Sequence, residues 1–250
     1  MATELLYLKD MSLLAASAQI TAIDPVAKTI ILNRTPFYPQ GGGQPSDRGT
    51  IKTPLSTFNV TAVKKSPTTG DVLHFLNSVD SLEPGQTVET EVDPETRSLH
   101  TRAHSAGHLL DHAVEDLALP FEVRSAYHFL PSPYVEYAIV DPSIDISPEY
   151  LKSLQATLEP AANAIVAEAM PVQVYNSSIS ELSEWRQKLL PEAVKQSGNV
   201  RLVKFDRSGL LPVPCSGTHV TNSEQIRPIR IKKISVDKEK RTIRVTYLLS

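Results

Sequence analysis

The stretch that most constrains the fold is residues 93–117, which predict one long helix. Asp93 can act as the N-cap, and Pro94 suits the first helical position, where a proline loses no hydrogen bond. The helix should end before Pro120, because proline cannot continue it. Four of the seven histidines lie in this stretch at intervals of four residues: His100, His104, His108 and His112. On a helix this spacing places them in one slowly turning stripe.

The histidine stripe indicates a metal site. Side chains four apart on a helix have Cβ atoms about 5–6 Å apart, so two imidazoles can reach one zinc ion at about 2.0–2.1 Å. Over a hundred residues later, Cys215 and His219 repeat the same step in Pro-Cys-Ser-Gly-Thr-His. One thiolate and several imidazoles suit zinc, whereas hard ions prefer carboxylates. We therefore expect the two halves to close on one zinc ion.

The spacing alone leaves this site open in several respects. Three overlapping histidine pairs, 100/104, 104/108 and 108/112, have the same spacing and could each supply two ligands. A closed site with four ligands would be structural, whereas a catalytic site keeps a position open. The chain has no His-Glu-x-x-His motif, which argues against a metalloprotease. Gly107 disfavours the helix by about 1 kcal/mol relative to alanine, and either a bound group or a closely packed sheet would explain it.

The first ninety residues predict strands. Runs suited to strands recur between turn signals such as Asp24-Pro25. These runs are residues 18–23, 28–32, 57–63, 71–76 and 87–92. The three glycines at 41–43 form a loop in which backbone can approach another group closely. Short strands at this spacing indicate a small barrel or sandwich, and we assign residues 1–90 to a β-rich glycine-motif domain.

Helices and strands intermix in the rest of the chain. We expect strands at 134–140, 171–176 and 200–205, helices at 148–168 and 178–190, and a hairpin of 226–236 with 241–248. Ser147 should cap the first of these helices, and Pro160 should kink or break it. The whole pattern predicts an α+β fold, in which a small N-terminal β-barrel-like domain precedes a two-layer α/β sandwich at residues 91–250.

Composition limits the partners and the compartment. A net charge of −3 excludes a wholly basic nucleic-acid binder but not a local basic patch. The segment 227–244 is rich in lysine and arginine, which fits a solvated hairpin face and an RNA-contacting surface about equally well. The single cysteine cannot form an internal disulfide, as is typical of a reducing compartment. With no signal-peptide pattern or long apolar run, we expect a cytoplasmic protein that does not span a membrane.

Three motifs carry a resemblance to a known family. His104-Ser-Ala-Gly-His108 resembles the helix motif of the alanyl-tRNA editing domain, and Cys215-Ser-Gly-Thr-His219 resembles its Cys-Gly-Gly-Thr-His motif. The segment 35–44, Thr-Pro-Phe-Tyr-Pro-Gln-Gly-Gly-Gly-Gln, resembles the glycine-rich loop of the preceding β-domain. The chain is thus similar to the freestanding AlaX editing proteins in their medium-length form. That family is related to the editing domains of alanyl- and threonyl-tRNA synthetases.

The resemblance implies a zinc-dependent trans-editing deacylase. Its substrate would be alanine tRNA that wrongly carries serine, or glycine, and its metal ligands would be His104, His108, Cys215 and His219. Substrate contacts are implied for Gly43, Gln44 and Ser105, and orienting roles for Thr35, Gln44 and Thr218. Ser105 stands where the family commonly has threonine, and Ser216 where it has glycine. These two departures bear on substrate preference more than on the reaction.

Two other functions fit the same residues. In the first, four ligands close the metal fully in a non-catalytic RNA-binding module, and the basic segment provides the affinity. In the second, the chain is a cysteine-dependent hydrolase with Cys215 as nucleophile and His219 as base. A deacylation assay separates the first from an editing enzyme, and zinc analysis bears on the second.

Overall fold

The computed structural model describes residues 2–182, 187, 190 and 192–250. The chain divides into two compact units. The first comprises the residues up to His104 together with Tyr127–Leu130, and the second comprises Ser105–Ala126 together with Pro131–Ser250. This division falls within the long helix. The division into a glycine-motif domain at residues 1–90 and an editing domain at residues 91–250 stays a prediction.

A closed β-barrel dominates the first unit. The strands are β1 (Glu4–Leu5), β2 (Ala15–Asp24), β3 (Thr29–Leu32), β4 (Arg34–Thr35), β5 (Gly49–Lys52), β6 (Thr57–Lys65), β7 (Val72–Leu76) and β8 (Thr87–Val92). The barrel closes in the order β2-β3-β7-β6-β5-β8, with antiparallel neighbours. Outside it, β1 pairs with β4 in parallel. The predicted small barrel is confirmed.

Alternating apolar and polar residues explain why this segment closes into a barrel. Burial alternates along β8, where the valines and Thr90 point inward and the other residues lie exposed. Ile30, Leu32 and Ile51 are completely buried in the barrel core. Gly49 allows β5 to approach β8, since a Cβ at this position would lie 2.1 Å from the Glu91 carbonyl oxygen. The core therefore depends on apolar alternation and on one close backbone contact.

The predicted long helix is α1 (Pro94–Asp116). Asp93 caps it, because its Oδ1 accepts a hydrogen bond from the Thr96 backbone N–H at 2.6 Å. Gly107 is buried within the helix. After His104 the helix presents its apolar face, including Leu109 and Leu110, to the core of the second unit. The helix begins and ends within one residue of the prediction, which was residues 93–117.

Two sheets and further helices make up most of the second unit. The elements are β9 (Phe121–Tyr127), β10 (Tyr134–Ile139), α2 (Pro148–Ala167), β11 (Val172–Ser178), α3 (Glu192–Ser197), β12 (Asn199–Phe205), β13 (Val213–Pro214), β14 (Ile229–Asp237) and β15 (Thr242–Leu249). One sheet has the order β14-β15-β10-β9 and the other β11-β12-β13. Buried residues of α1, α2 and both sheets share one apolar core. The predicted combination of a barrel-like domain with an α/β domain is confirmed.

Several local predictions need correction. Pro160 does not break α2, which runs from Pro148 to Ala167 with Ser147 as its N-cap. A proline lacks one backbone donor, and the remaining turns and the apolar face keep this helix intact. The sequence interpretation missed β9, whose residues are mostly exposed and lack alternation. Of the predicted helix 178–190, residues 179–181 form a short 3₁₀ turn, while residues 183–186, 188 and 189 lie outside the described residues.

Among the described residues, none of the helices has the length and apolar character needed to cross a membrane.

Candidate metal centre

Four side chains with metal-binding atoms meet in the structure: His104, His108, Cys215 and His219. One ligand-type atom from each lies within 4.8 Å of those of the others. His104 and His108 occupy successive turns of α1, whereas Cys215 and His219 lie in the loop that follows β13. The structure thus brings together the 104/108 pair, and His100 and His112 are not part of this group.

The donor set fits a zinc ion. Ligands at about 2.0–2.3 Å from a tetrahedral zinc stand roughly 3.3–3.8 Å apart. The four donor atoms lie within 4.8 Å of one another, so they need to move closer by about 1 Å to bind one ion. His219 Nε2 lies 3.3 Å from the Cys215 sulfur, and the His108 and His219 rings meet edge to face at 5.0 Å. His104 and His219 are buried, while His108 and Cys215 keep some exposure. The cluster can therefore hold a metal ion that solutes can still approach.

Gln44 orients the His104 imidazole. The Gln44 amide oxygen lies 2.7 Å from His104 Nδ1 and both side chains are buried. An amide oxygen only accepts hydrogen bonds, so Nδ1 carries the proton and Nε2 keeps its lone pair for a metal. Gln44 itself is held by reciprocal backbone hydrogen bonds with Gly41. Gly42 and Gly43 have φ of 54° and 76°, a conformation that glycine adopts at little cost.

A buried ion pair anchors the glycine-rich loop to α1. Asp47 is completely buried and accepts hydrogen bonds from the Arg97 guanidinium, with Nε 3.0 Å from both carboxylate oxygens. The same carboxylate accepts a hydrogen bond from the Tyr38 backbone N–H at 2.6 Å. Arg97 also donates to the Pro36 carbonyl at 2.7 Å. These hydrogen bonds attach the glycine-rich loop to the helix that carries His104.

Ser105 contacts His219 and is buried. Its hydroxyl lies 3.3 Å from His219 Nδ1 and accepts a hydrogen bond from the Val220 backbone N–H at 3.2 Å. Ser105 and Thr218 have no exposed surface, so both are enclosed by neighbouring residues. Thr35 is equally buried and pairs with His74 through Oγ1 and Nε2 at 2.8 Å. Gly43 keeps partial exposure. The substrate-binding and orienting roles of these residues stay predictions.

Arg201 braces the cysteine loop, and the sequence interpretation missed it. Its Nη1 donates to the carbonyls of Cys215 at 2.7 Å and Gly217 at 2.9 Å. The Cys215 backbone N–H donates in turn to the Arg201 carbonyl at 3.0 Å. Arg201 belongs to the predicted strand 200–205. Its charge within this largely apolar run was the one sequence feature that could have indicated its role.

The environment of the Cys215 thiol favours a metal ligand over a free nucleophile. Burial raises the pKa of Cys215 to about 11. The hydrogen bond from the Gly217 N–H and the charge of Arg201 lower this pKa, but their effect is smaller than that of burial. Without a metal the sulfur therefore keeps its proton at neutral pH. Nucleophilic cysteines have lowered pKa values, whereas metal coordination holds even a reluctant thiol as thiolate. The cysteine-dependent hydrolase is accordingly disfavoured.

His128 is a second residue that the sequence interpretation missed. It is buried, and its ring stacks on the His104 ring with centroids 4.6 Å apart and planes 23° apart. Its backbone N–H donates to the Gly43 carbonyl at 2.8 Å. Burial lowers the pKa of His128 to about 4, so the ring is neutral at physiological pH. No motif pointed to it, because the contact is purely tertiary.

A barrel unit with a glycine-rich loop is combined in this chain with His-x-x-x-His on a helix and Cys-x-x-x-His in a loop, the three motifs on which the resemblance to alanyl-tRNA editing domains rests. The family model of class II tRNA synthetases (A) matches residues 8–96. Alanyl-tRNA editing protein AlaX-M of Methanosarcina barkeri is 30% identical over 238 residues, which cover 93% of each chain. The chain belongs to this family of alanyl-tRNA editing proteins.

Two further relatives extend the comparison. The alanine–tRNA ligase of Methanothrix thermoacetophila is 35% identical over 209 residues, which make up 81% of this chain and 21% of the ligase. Alanyl-tRNA editing protein Aarsd1 of Mus musculus is 31% identical over 205 residues, or 81% of this chain and 44% of that protein. Similarity thus extends both to editing proteins and to a segment of a full ligase.

Proposed function

We propose that this protein is a trans-editing deacylase that hydrolyses the ester of mischarged alanine tRNA, with serine as the main wrong amino acid and glycine as the second. The observation that carries the proposal is the cluster of His104, His108, Cys215 and His219 in a chain of this family. A free enzyme of this kind acts after charging, in the compartment where tRNA is charged, which for this chain we take to be the cytoplasm.

Limited selectivity in the charging reaction explains why such an activity is needed. An amino-acid pocket built for alanine cannot strongly reject glycine, which only lacks a methyl group, or serine, which only adds a hydroxyl. A second site can inspect the product instead. The ester is already activated, so hydrolysis needs a positioned water, polarisation of the carbonyl and a fixed orientation of the substrate.

The residues of this chain divide these tasks between them. We assign zinc binding to the four clustered side chains, with Gln44 orienting His104 and Ser105 orienting His219. When bound, zinc supplies Lewis-acid chemistry, which can acidify water or hold the amino group or hydroxyl of a substrate. His108 is partly exposed, and we propose that a substrate approaches the cluster from its side. Gly43 of the glycine-rich loop is partly exposed and is proposed to contact the substrate.

A basic hairpin surface supports tRNA as the partner. We define it as the exposed cationic side chains of β14, β15 and their flanks: Arg227, Arg230, Lys232, Lys233, Lys238, Lys240, Arg241 and Arg244. Asp237 forms an ion pair with Lys240, and Glu136 with Arg244, so part of this charge is already neutralised. The remaining cations are suited to phosphate contacts, which position RNA without reading its sequence.

The experiment is a deacylation assay with the purified protein and alanine tRNA charged with serine, glycine or alanine. We expect hydrolysis of the seryl ester while the alanyl ester is spared. His104→Ala and Cys215→Ala should lower hydrolysis to the rate in buffer. His112→Ala removes a buried histidine of the same helix outside the cluster and should keep most of the activity. Equal loss in all three variants would contradict the choice of ligands.

The alternative is a non-catalytic zinc-stabilised RNA-binding module, which four donors closing on one ion would allow. The same assay separates the two functions. A protein that binds zinc and tRNA tightly but leaves seryl-tRNA to decay at the rate in buffer would be the binding module.

A further inference from the structure

His128 lies outside every motif of the sequence, yet it contacts the candidate ligand His104. It is 2% exposed, so its imidazole is enclosed by protein. Its ring covers that of His104 in a near-parallel stack, at 4.6 Å between centroids. Both residues belong to the first compact unit, His104 as the last residue of its main segment and His128 within the short segment Tyr127–Leu130.

The residues that contact the His104 ring are also linked to one another. The His128 backbone donates to the Gly43 carbonyl, and the next residue, Gln44, accepts the hydrogen bond from His104 Nδ1. The hydrogen bond restrains rotation of the ring about the Nδ1 direction only weakly, whereas a stacked ring restrains the tilt of the plane. Together the two contacts fix both the tautomer and the plane of the His104 imidazole.

We propose that His128 is a positioning residue for the metal centre, because it holds the His104 imidazole in the plane that presents Nε2 to a metal ion. The inference rests on the proposed metal-dependent function. Partners that orient a ligating imidazole contribute to metal affinity, and their loss typically costs about 10–100-fold. The face of an aromatic ring is electron-rich, so a stacked ring also favours an imidazole that donates electron density to a cation.

The stacking role makes a distinctive prediction about substitutions. Phenylalanine provides a planar ring with an electron-rich face but no nitrogen, so His128→Phe should preserve the function of the stack. Alanine removes the ring and leaves a space beside His104. A residue needed only for the hydrogen-bonding capacity of its imidazole would tolerate neither change.

The test measures zinc binding directly. Wild type, His128→Ala and His128→Phe are freed of metal, and the Kd for zinc is measured by competition with a chromophoric chelator. The visible spectrum of the cobalt-substituted proteins reports ligand geometry, and thermal unfolding of the metal-free forms checks folding. We expect zinc to bind at least about tenfold more weakly in His128→Ala, with an altered cobalt spectrum. His128→Phe should stay within about threefold of wild type and keep its spectrum, as expected for a preserved aromatic contact.

His112→Ala is the matched control, since His112 is a buried histidine of α1 that contacts Phe205 and Glu115 instead. It should bind zinc as wild type does. The inference is overturned if His128→Ala matches wild type in both Kd and spectrum, if it loses no more than the control, or if His128→Phe falls as far as His128→Ala. Should wild type itself fail to bind one zinc ion, the proposed metal centre fails, and the two failures are thereby distinguished.

Discussion

The hydrogen bond between Gln44 and His104 Nδ1 leaves Nε2 of His104 to face the cluster. Single side-chain contacts of this kind determine how each candidate ligand is oriented. The amide of Gln44 lies 2.7 Å from His104 Nδ1, and the hydroxyl of Ser105 lies 3.3 Å from His219 Nδ1. Both histidines therefore have a polar partner on Nδ1, which leaves Nε2 for a metal. At this scale the chemistry depends on neighbours that stand far apart in the sequence.

Gln44→Ala should weaken zinc binding about 10–100-fold, because His104 loses the partner that fixes its tautomer. Gln40→Ala is the control, since Gln40 is an exposed residue of the same loop. Competition with a chelator measures both affinities. If the two variants bind zinc equally well, Gln44 does not act on the metal centre.

Asp111 provides a prediction about pH. Burial raises its pKa to about 7, although Tyr137 donates a hydrogen bond to it at 2.8 Å. Since the pKa in the unfolded chain is lower, at about 4, the stabilising contribution of the protonated acid is fully present below pH 4 and is lost as pH rises to 7. The free energy of unfolding of Asp111→Asn, relative to that of wild type, should therefore be higher at pH 8 than at pH 4.

Urea denaturation of the metal-free proteins at the two pH values provides the measurement. A chelator removes bound metal, because metal binding to cysteine and histidine itself depends on pH. An equal difference between Asp111→Asn and wild type at both pH values would mean that the carboxyl is not perturbed in the folded protein.

At the scale of elements, the fold could be predicted where a segment carries its own pattern. Helix α1 has a cap, a proline at its start and regular spacing, and its limits match the prediction within one residue. Strand β9 is mostly exposed and β5 is four residues long, so neither has a pattern of its own, and both exist because neighbouring strands pair with them. The choice of His104 and His108 within the stripe needed the family resemblance, since all three pairs have equal spacing.

The ion pair of Asp47 and Arg97 determines how the glycine-rich loop is attached to α1. Both side chains are buried, so removing one leaves the other charge without its partner in a dry environment. Asp47→Ala should cost about 3–5 kcal/mol of the free energy of unfolding. Arg48→Ala changes an exposed neighbour and should cost less than about 0.5 kcal/mol. Chemical denaturation measures both, and a cost for Asp47→Ala as small as that of the control would contradict this anchoring role.

At the scale of the whole molecule, a net charge of −3 coexists with a basic hairpin surface. Net charge alone would argue against an RNA partner, but the local arrangement of charges governs the contact with phosphates. The sequence left a solvated face and an RNA surface equally open, and the exposure of these side chains supports the RNA proposal.

Binding of alanine tRNA should weaken as salt rises, since each phosphate contact releases condensed counterions. Lys232→Glu with Lys233→Glu should reduce the slope of log affinity against log salt, by roughly 0.7–0.9 for each phosphate that the protein no longer neutralises. Lys65→Glu, an exposed barrel lysine, serves as control. Fluorescence anisotropy across a salt series gives the slopes. A slope unchanged by the double variant would remove the basic hairpin from the tRNA interface.

The most direct test of the account is the rate of seryl-tRNA deacylation measured before chelation, after chelation and after zinc is restored. We predict rapid hydrolysis by the zinc-bound protein, loss of this activity when zinc is removed, and recovery with one equivalent of zinc per chain. A protein that holds zinc at the His104, His108, Cys215 and His219 cluster but leaves seryl-tRNA to decay as it does in buffer would contradict the central claim.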